Sequence, residues 1–399
     1  MSAKGESVDY LRSSTSTMLT PNLHQPIYCP ALRFKAGELA GTSFLADDVA
    51  KCVLPRWIVP PPKERDEEDG LLFAAERLPD ISQQLLSGWG NRECLIDVRW
   101  IIDEFGREAI VDWLPAMFRR ARTIGCAPIP IASLDDLTPI ELTAFGSAID
   151  RKRSLKFALI VYAGELEIED CGQRIASVLE TLGVLPSECA LIADASDSEF
   201  GNEEVAAVVL EGTLEKMREL GRWRHTVIQG TNYPDNNPAP DGGTVRVPRN
   251  EWHAWKRAVR FNPETSEHLV FGDFCADCSK IVFGKSGAPA IRHIRYALDD
   301  VWIVERGRKA GKSNDEMRRV FRNLVDLDNF GGERISQADR FIMRSSRDAS
   351  LGCGNATTWR QLNTTRHITQ TVRSIAKVRG IEIKPLPAPQ EHVQFSLLE

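Results

Sequence analysis

Short apolar β-type runs alternate with amphipathic helical stretches about eight times between residue 27 and about residue 275, and no other feature constrains the fold as much. The runs lie at 27–35, 52–59, 93–98, 127–132, 156–161, 189–194, 224–229 and 268–273. They are apolar on both parities, as strands are when both faces of their sheet are covered. Helical periodicity follows at about 71–86, 108–124, 139–149, 171–182, 203–220 and 250–260. Strands separated by helices build a parallel sheet with the helices outside it. Eight units suit closure into a (β/α)8 TIM-type barrel, although an open doubly wound sheet leaves the same local pattern.

The chain has 399 residues, enough for a barrel of roughly 250 with an extension. Residues 1–25 are rich in Ser and Thr and are expected to be disordered, with the barrel over 26–285. A basic α/β appendage packed on the barrel is expected over 286–380, and a proline-containing tail that trails off over 381–399. Within the appendage, 290–296 and 301–307 read as a hairpin around Asp299-Asp300. Ser313 followed by Glu316 reads as a capping box, with Met317, Val320, Phe321, Leu324 and Val325 as one helical stripe. Ser336 starts another short helix. A last helix over 359–378 turns Leu362, Ile368, Val372, Ile375 and Val378 inward and stops at Gly380. The connection 230–243, rich in Gly, Pro and Asn, is long for a structureless loop.

Charge is unevenly distributed. The whole chain carries a net −6, yet 280–380 holds 20 Lys/Arg against 10 Asp/Glu, so the remainder carries −16. An acidic body with a basic appendage suggests contact with something acidic: nucleic acid, a partner, or the chain's own body. No apolar run approaches the roughly 18 residues of a membrane span, and the polar N-terminus has no signal core. A cytoplasmic protein without membrane contact is therefore expected. Nine scattered cysteines, Cys275-Ala276-Asp277-Cys278 included, fit buried thiols in a reducing compartment better than half a zinc site.

In a barrel, chemistry sits where the strands end. The polar residues there are Arg33, Lys35 and Glu38, Asp97 with Arg99, Ser133 and Asp135, Tyr162 and Glu165, Asp194, Gln229, and Asp273 with Asp277. Such a mouth could bind a partner or an acidic ligand through Arg33, Lys35, Glu38, Arg99 and Gln229. It could instead hold a divalent cation on Asp97, Asp194 and Asp273, with Lys35 or Arg99 meeting developing negative charge. In the appendage, Arg295, Trp302 and Arg306 mix cations with an aromatic, which suits a protein hot spot, nucleic acid or a plain half-buried hairpin. His367 reads as structural. P-loop, G-x-S-x-G and H-E-x-x-H signatures are absent, and no motif identifies a cofactor.

Several stretches together resemble a known family. They are Tyr28-x-Pro30-x-Leu32-Arg33-x-Lys35-x-Gly37-Glu38, Pro60-Pro61-Pro62, Gly272-Asp273, Arg295-Tyr296, Trp302-x-x-x-Arg306-Gly307, Ala338-Asp339-x-Phe341-Ile342 and Gly354-Asn355-x-x-x-Trp359. In this order they are similar to the beta protein family of phages, prophages and phage satellites, over about residues 27–380. The resemblance implies a part in phage–host conflict: a binding or regulatory component of an antiphage defence or toxin–antitoxin module. Its partner would be the toxin-like or effector product of a neighbouring operon gene, or an infection-derived ligand. The resemblance supplies no catalytic residue. A metal-assisted hydrolase of a phosphate-containing substrate and a nucleic-acid-binding protein remain the alternatives.

Overall fold

A computed structural model describes residues 25–61, 79–198, 200–261, 268–280, 291–308 and 314–388. Eight parallel strands close into a barrel: β1 (Tyr28–Arg33), β2 (Arg56–Ile58), β3 (Glu93–Asp97), β4 (Ala127–Ser133), β5 (Phe157–Tyr162), β6 (Cys189–Asp194), β7 (His225–Gln229) and β9 (Leu269–Asp273). Closure is through β1 and β9, with Tyr28 opposite Phe271 and Pro30 opposite Asp273. Around the barrel run α1 (Ala36–Ser43), α2 (Asp47–Ala50), α3 (Ser82–Gly88), α4 (Ile102–Phe105), α5 (Ile110–Thr123), α6 (Pro139–Ala148), α7 (Cys171–Leu182), α8 (Glu203–Glu219) and α9 (Asn250–Phe261). Residues 1–24, the first half of the helix expected at 71–86, the charged stretch before it, and Ser313 lie outside the described residues.

Strand alternation separates two cores. Cys29, Leu54, Leu95, Ile129, Ile131, Ala158, Ile160, Ala190, Ile192, Val227 and Val270 fill the barrel interior. The opposite parity, including Tyr28, Trp57, Ile96, Leu159, Leu191 and Phe271, packs outward under the helices. Each large aliphatic chain so buried contributes about 1.5–3 kcal/mol.

The appendage is not built from the C-terminal residues alone. Strands β10 (His293–Ala297) and β11 (Val301–Arg306) form the expected hairpin, but β11 also pairs antiparallel with β8 (Thr244–Pro248). This third strand comes from the long connection after β7. One face of the sheet, with Ile294, Tyr296 and Ile303, packs on α10 (Asn314–Val325), α11 (Gln337–Arg347) and α12 (Ala356–Arg379). The other face, with Trp302, Val304 and Val247, packs on Tyr233 and Ala239 of the same connection.

Helix α12 ends at Gly380, whose φ of 69° supplies the left-handed C-cap. It lies against α1 so closely that a Cβ on Gly41 would stand 2.6 Å from Thr364 Cβ. Val378, expected inward, is 43% exposed, and it is the next residue, Arg379, that faces the barrel, donating to Leu269 O. Residues 381–388, expected to trail off, are held instead: Ile383 and Leu386 are buried, and Arg334 and Arg340 donate to the carbonyls of Leu386 and Pro387.

Candidate functional site

On six of the eight strands the inward parity ends in a polar residue above the apolar interior: Arg33, Asp97, Ser133, Tyr162, Asp194 and Gln229. The centre of this layer is a residue that the sequence reading passed over. Arg56 on β2 shares the parity of Leu54, so it points into the barrel, and it is fully buried. Its Nε and Nη2 donate to Asp97 Oδ2 at 3.1 and 2.8 Å. Its Nη1 donates to Gln229 Oε1 at 2.5 Å and reaches Asp194 Oδ2 at 3.4 Å. Gln229 in turn donates to Cys29 O. Arg99 closes over this floor, its Nε 3.1 Å from Asp97 Oδ1. Burial pushes the Asp97 carboxyl up, but the charges of Arg99 and Arg56 outweigh it and hold the group below its ordinary pKa. Two polar atoms at this rim are buried with no hydrogen-bond partner among the described residues: Arg99 Nη2 and Ser133 Oγ.

Asp273 belongs elsewhere. It shares the parity of Phe271, not of Val270, so its carboxylate faces outward between barrel and appendage. There Tyr28 Oη donates to Oδ1 at 2.5 Å and His367 Nε2 lies 2.8 Å from Oδ2. Trp302 Nε1 donates to His367 Nδ1 at 3.0 Å. An indole nitrogen can only donate, so Nδ1 accepts, the proton sits on Nε2, and the imidazole is neutral. The direction of its pKa agrees: burial lowers it, and Asp273 only partly restores it. Arg249, also fully buried, bonds Thr371 Oγ1 and Leu298 O and stands 3.7 Å from Asp273. Asp273, His367 and Trp302 have no exposed surface, so this cluster is a sealed joint.

The expected convergence of Asp97, Asp194 and Asp273 on one cation is therefore corrected by parity. Two of the three carboxylates share the Arg56 guanidinium, and the third faces away. Among the described residues, no three His, Cys, Asp or Glu side chains are grouped to hold a metal ion. The expected appendage contact is corrected as well. Trp302 is fully buried on His367, Arg306 Nη1 donates to Ala239 O, and Arg295 turns toward the barrel.

The third cluster lies at the other side of the mouth. Asp277, in the loop after β9, meets Arg360 at 2.7 Å, Arg295 at 2.8 Å and Arg33 at 3.4 Å. Arg360 also faces Glu38 at 3.6 Å. Lys35 stands half-buried at the head of α1. Beside these groups is a cavity of about 20 Å³, room for one water, lined by Arg33, Glu38, Asp277, Arg360 and Asn363. Arg33, Glu38 and Arg295 thus do come together, as do Asp97, Arg99, Asp194 and Gln229 around Arg56.

Of the residues not foreseen, Arg56 left a signal: a charge on the inward parity of an apolar strand, Leu54-Pro55-Arg56-Trp57-Ile58. Arg249 and Arg360 left none. None of the described helices is long and apolar enough to cross a membrane. No curated protein matches the chain. A family model described as Beta protein matches residues 28–373, barrel and appendage together, and the chain belongs to that family.

Proposed function

We propose that this protein is a binding and regulatory component of a prophage-type antiphage defence or toxin–antitoxin module, whose barrel mouth holds a partner or an infection-derived ligand. The phage association of the family supports the setting. The observation that carries the binding role is the buried Arg56 guanidinium between Asp97 and Asp194. Among the described residues, a floor so neutralised leaves no acidic group over to gather a cation, while Arg99 Nη2 and Ser133 Oγ above it are buried without hydrogen-bond partners, polar atoms that a bound ligand would satisfy. The same geometry weighs against metal-assisted hydrolysis.

The nucleic-acid reading loses its main support. Arg318 donates to the carbonyls of Ser345, Asp348, Ala349 and Leu351, and Arg366 pairs with Asp339. With Arg295, Arg306, Arg340 and Arg360 also bound to protein groups, much of the appendage's positive charge holds its own fold together.

The test is co-expression with the products of the adjacent genes, followed by affinity purification with and without a chelator. The reading expects a stoichiometric partner that is retained in chelator. Metal-dependent phosphate release by the purified chain, lost in Asp194→Asn, would replace it with the hydrolase.

A further inference from the structure

Three arginines from distant parts of the chain close on a single carboxylate. Arg33 comes from the end of β1, Arg295 from β10 and Arg360 from α12, and all three reach Asp277. Fixed guanidinium groups in this arrangement are what recognises phosphate or carboxylate oxygens. Without Asp277, Glu38, paired with Arg360, is the carboxylate left to them among the described residues, a surplus of about two positive charges on the simple count of ionised groups.

The loop that carries Asp277 lies over the mouth. Phe274 packs on Ala31 and Ile58 at the rim, and Ser279 Oγ donates to Ser196 O beyond β6. Its second residue, Cys275, has φ of 55°, the only non-glycine residue at positive φ among those described. That conformation costs on the order of 1 kcal/mol or more, so the Asp277 contacts hold the loop in a conformation it would not otherwise favour. Alongside, Tyr233 lies 4.8 Å under the Arg295 guanidinium. Its hydroxyl is buried with no partner among the described residues, and Arg295, Asp277 and Arg360 all act on it electrostatically.

We propose that Arg33, Arg295 and Arg360 form a binding site for a doubly charged oxyanion of the phosphate class, in which the Asp277 carboxylate is an internal occupant that the ligand displaces. This rests on the reading of the mouth as a binding surface and names the ligand chemistry of one side of it. Because the native loop competes for the site, the wild-type chain binds such an anion weakly, and removing the competing charge tightens binding.

The experiment is a titration of the full chain with inorganic phosphate, followed by phosphorus NMR line width and by thermal shift, with acetate at equal ionic strength as control. Asp277→Asn should bind phosphate about tenfold more tightly than wild type, and adding Arg360→Gln should abolish the gain. An Asp277→Asn protein that folds and binds no better than wild type, or one whose gain survives Arg360→Gln, overturns the proposal. Should Asp277→Asn fail to fold, Arg33→Gln in the otherwise native chain decides. Loss of the phosphate-induced line broadening supports the site, and unchanged broadening refutes it. Partner retention by the same variants is scored separately: a retained partner without phosphate binding removes this site and leaves the binding role standing.

Discussion

Two buried polar clusters flank the ends of the barrel strands, and they differ in one respect. At the joint behind β9, Tyr28, Asp273, His367 and Trp302 form a closed chain of hydrogen bonds with no surface exposed. At the floor of the mouth, Arg56 joins Asp97, Asp194 and Gln229 just as tightly, but the rim above it carries Arg99 Nη2 and Ser133 Oγ without hydrogen-bond partners among the described residues. Beside the joint Arg249 Nε also lacks a hydrogen-bond partner among the described residues, but Arg249 has no exposed surface, whereas the Arg99 side chain at the rim is partly exposed, and only donors at an accessible rim can meet a ligand. Chemical type alone does not distinguish the two, since both combine acids with bases.

The largest expected effect comes from removing the centre of the floor. Arg56→Leu leaves Asp97 and Asp194 buried without their shared cation, which should cost about 3–5 kcal/mol in urea unfolding. A loss below about 1 kcal/mol would mean that Arg56 does not tie the floor together as tightly as the joint is tied, and the comparison would fail.

Acid unfolding reads the buried histidines, of which His367 belongs to the joint. Unfolded histidine titrates near 6.5, while burial holds His225 and His293 down to about 4 and keeps His367 low as well. Their contribution is fully present above about pH 6.5 and is lost as pH falls toward the folded values. For a side chain as buried as His225 it is on the order of 3 kcal/mol. Glu251, beside Arg249, has the opposite sign. Burial pushes it up to about 7, so it favours the folded state in acid, and that contribution fades as pH rises from about 4.5 to 7. Three histidines outweigh one glutamate, so stability should fall from pH 7 to 4.5, and more steeply in Glu251→Gln. A flat profile over that range would contradict the lowered pKa of these buried histidines.

Trp302→Phe keeps a ring against His367 but leaves Nδ1 buried without a donor, at a cost of about 1–3 kcal/mol by thermal or urea unfolding. Ser133→Ala is the counterpart at the mouth and should have the smallest effect. Its hydroxyl has no hydrogen-bond partner to lose among the described residues, so stability should stay within about 0.5 kcal/mol or rise. If Ser133→Ala costs as much as Trp302→Phe, the hydroxyl has a structural partner and is not in reserve.

The fold was largely legible because each barrel strand is a local apolar run and each loop a local break. What escaped was non-local. Strand β8 is five residues, Thr244–Pro248, with apolar side chains only at Val245 and Val247, and it pairs with a strand more than fifty residues away. No local pattern announces such a pairing. The site was legible as a list of strand-end residues but not as a geometry. Asp273 sits at a strand end like Asp97 and Asp194, yet one step of parity turns it to the outside. That step was readable from Leu269, Phe271 and Asp273 sharing one parity. Trp302 and Arg306 looked like surface anchors because the alternation of β11 shows two faces without showing that both are covered.

The most direct measurement compares one variant from each cluster for retention of the co-expressed neighbouring gene product, with folding verified by circular dichroism. Arg99→Glu, at the mouth, should lose the partner while Trp302→Phe, at the joint, keeps it. Equal retention by both folded variants, or loss only in Trp302→Phe, would contradict the assignment of binding to the mouth.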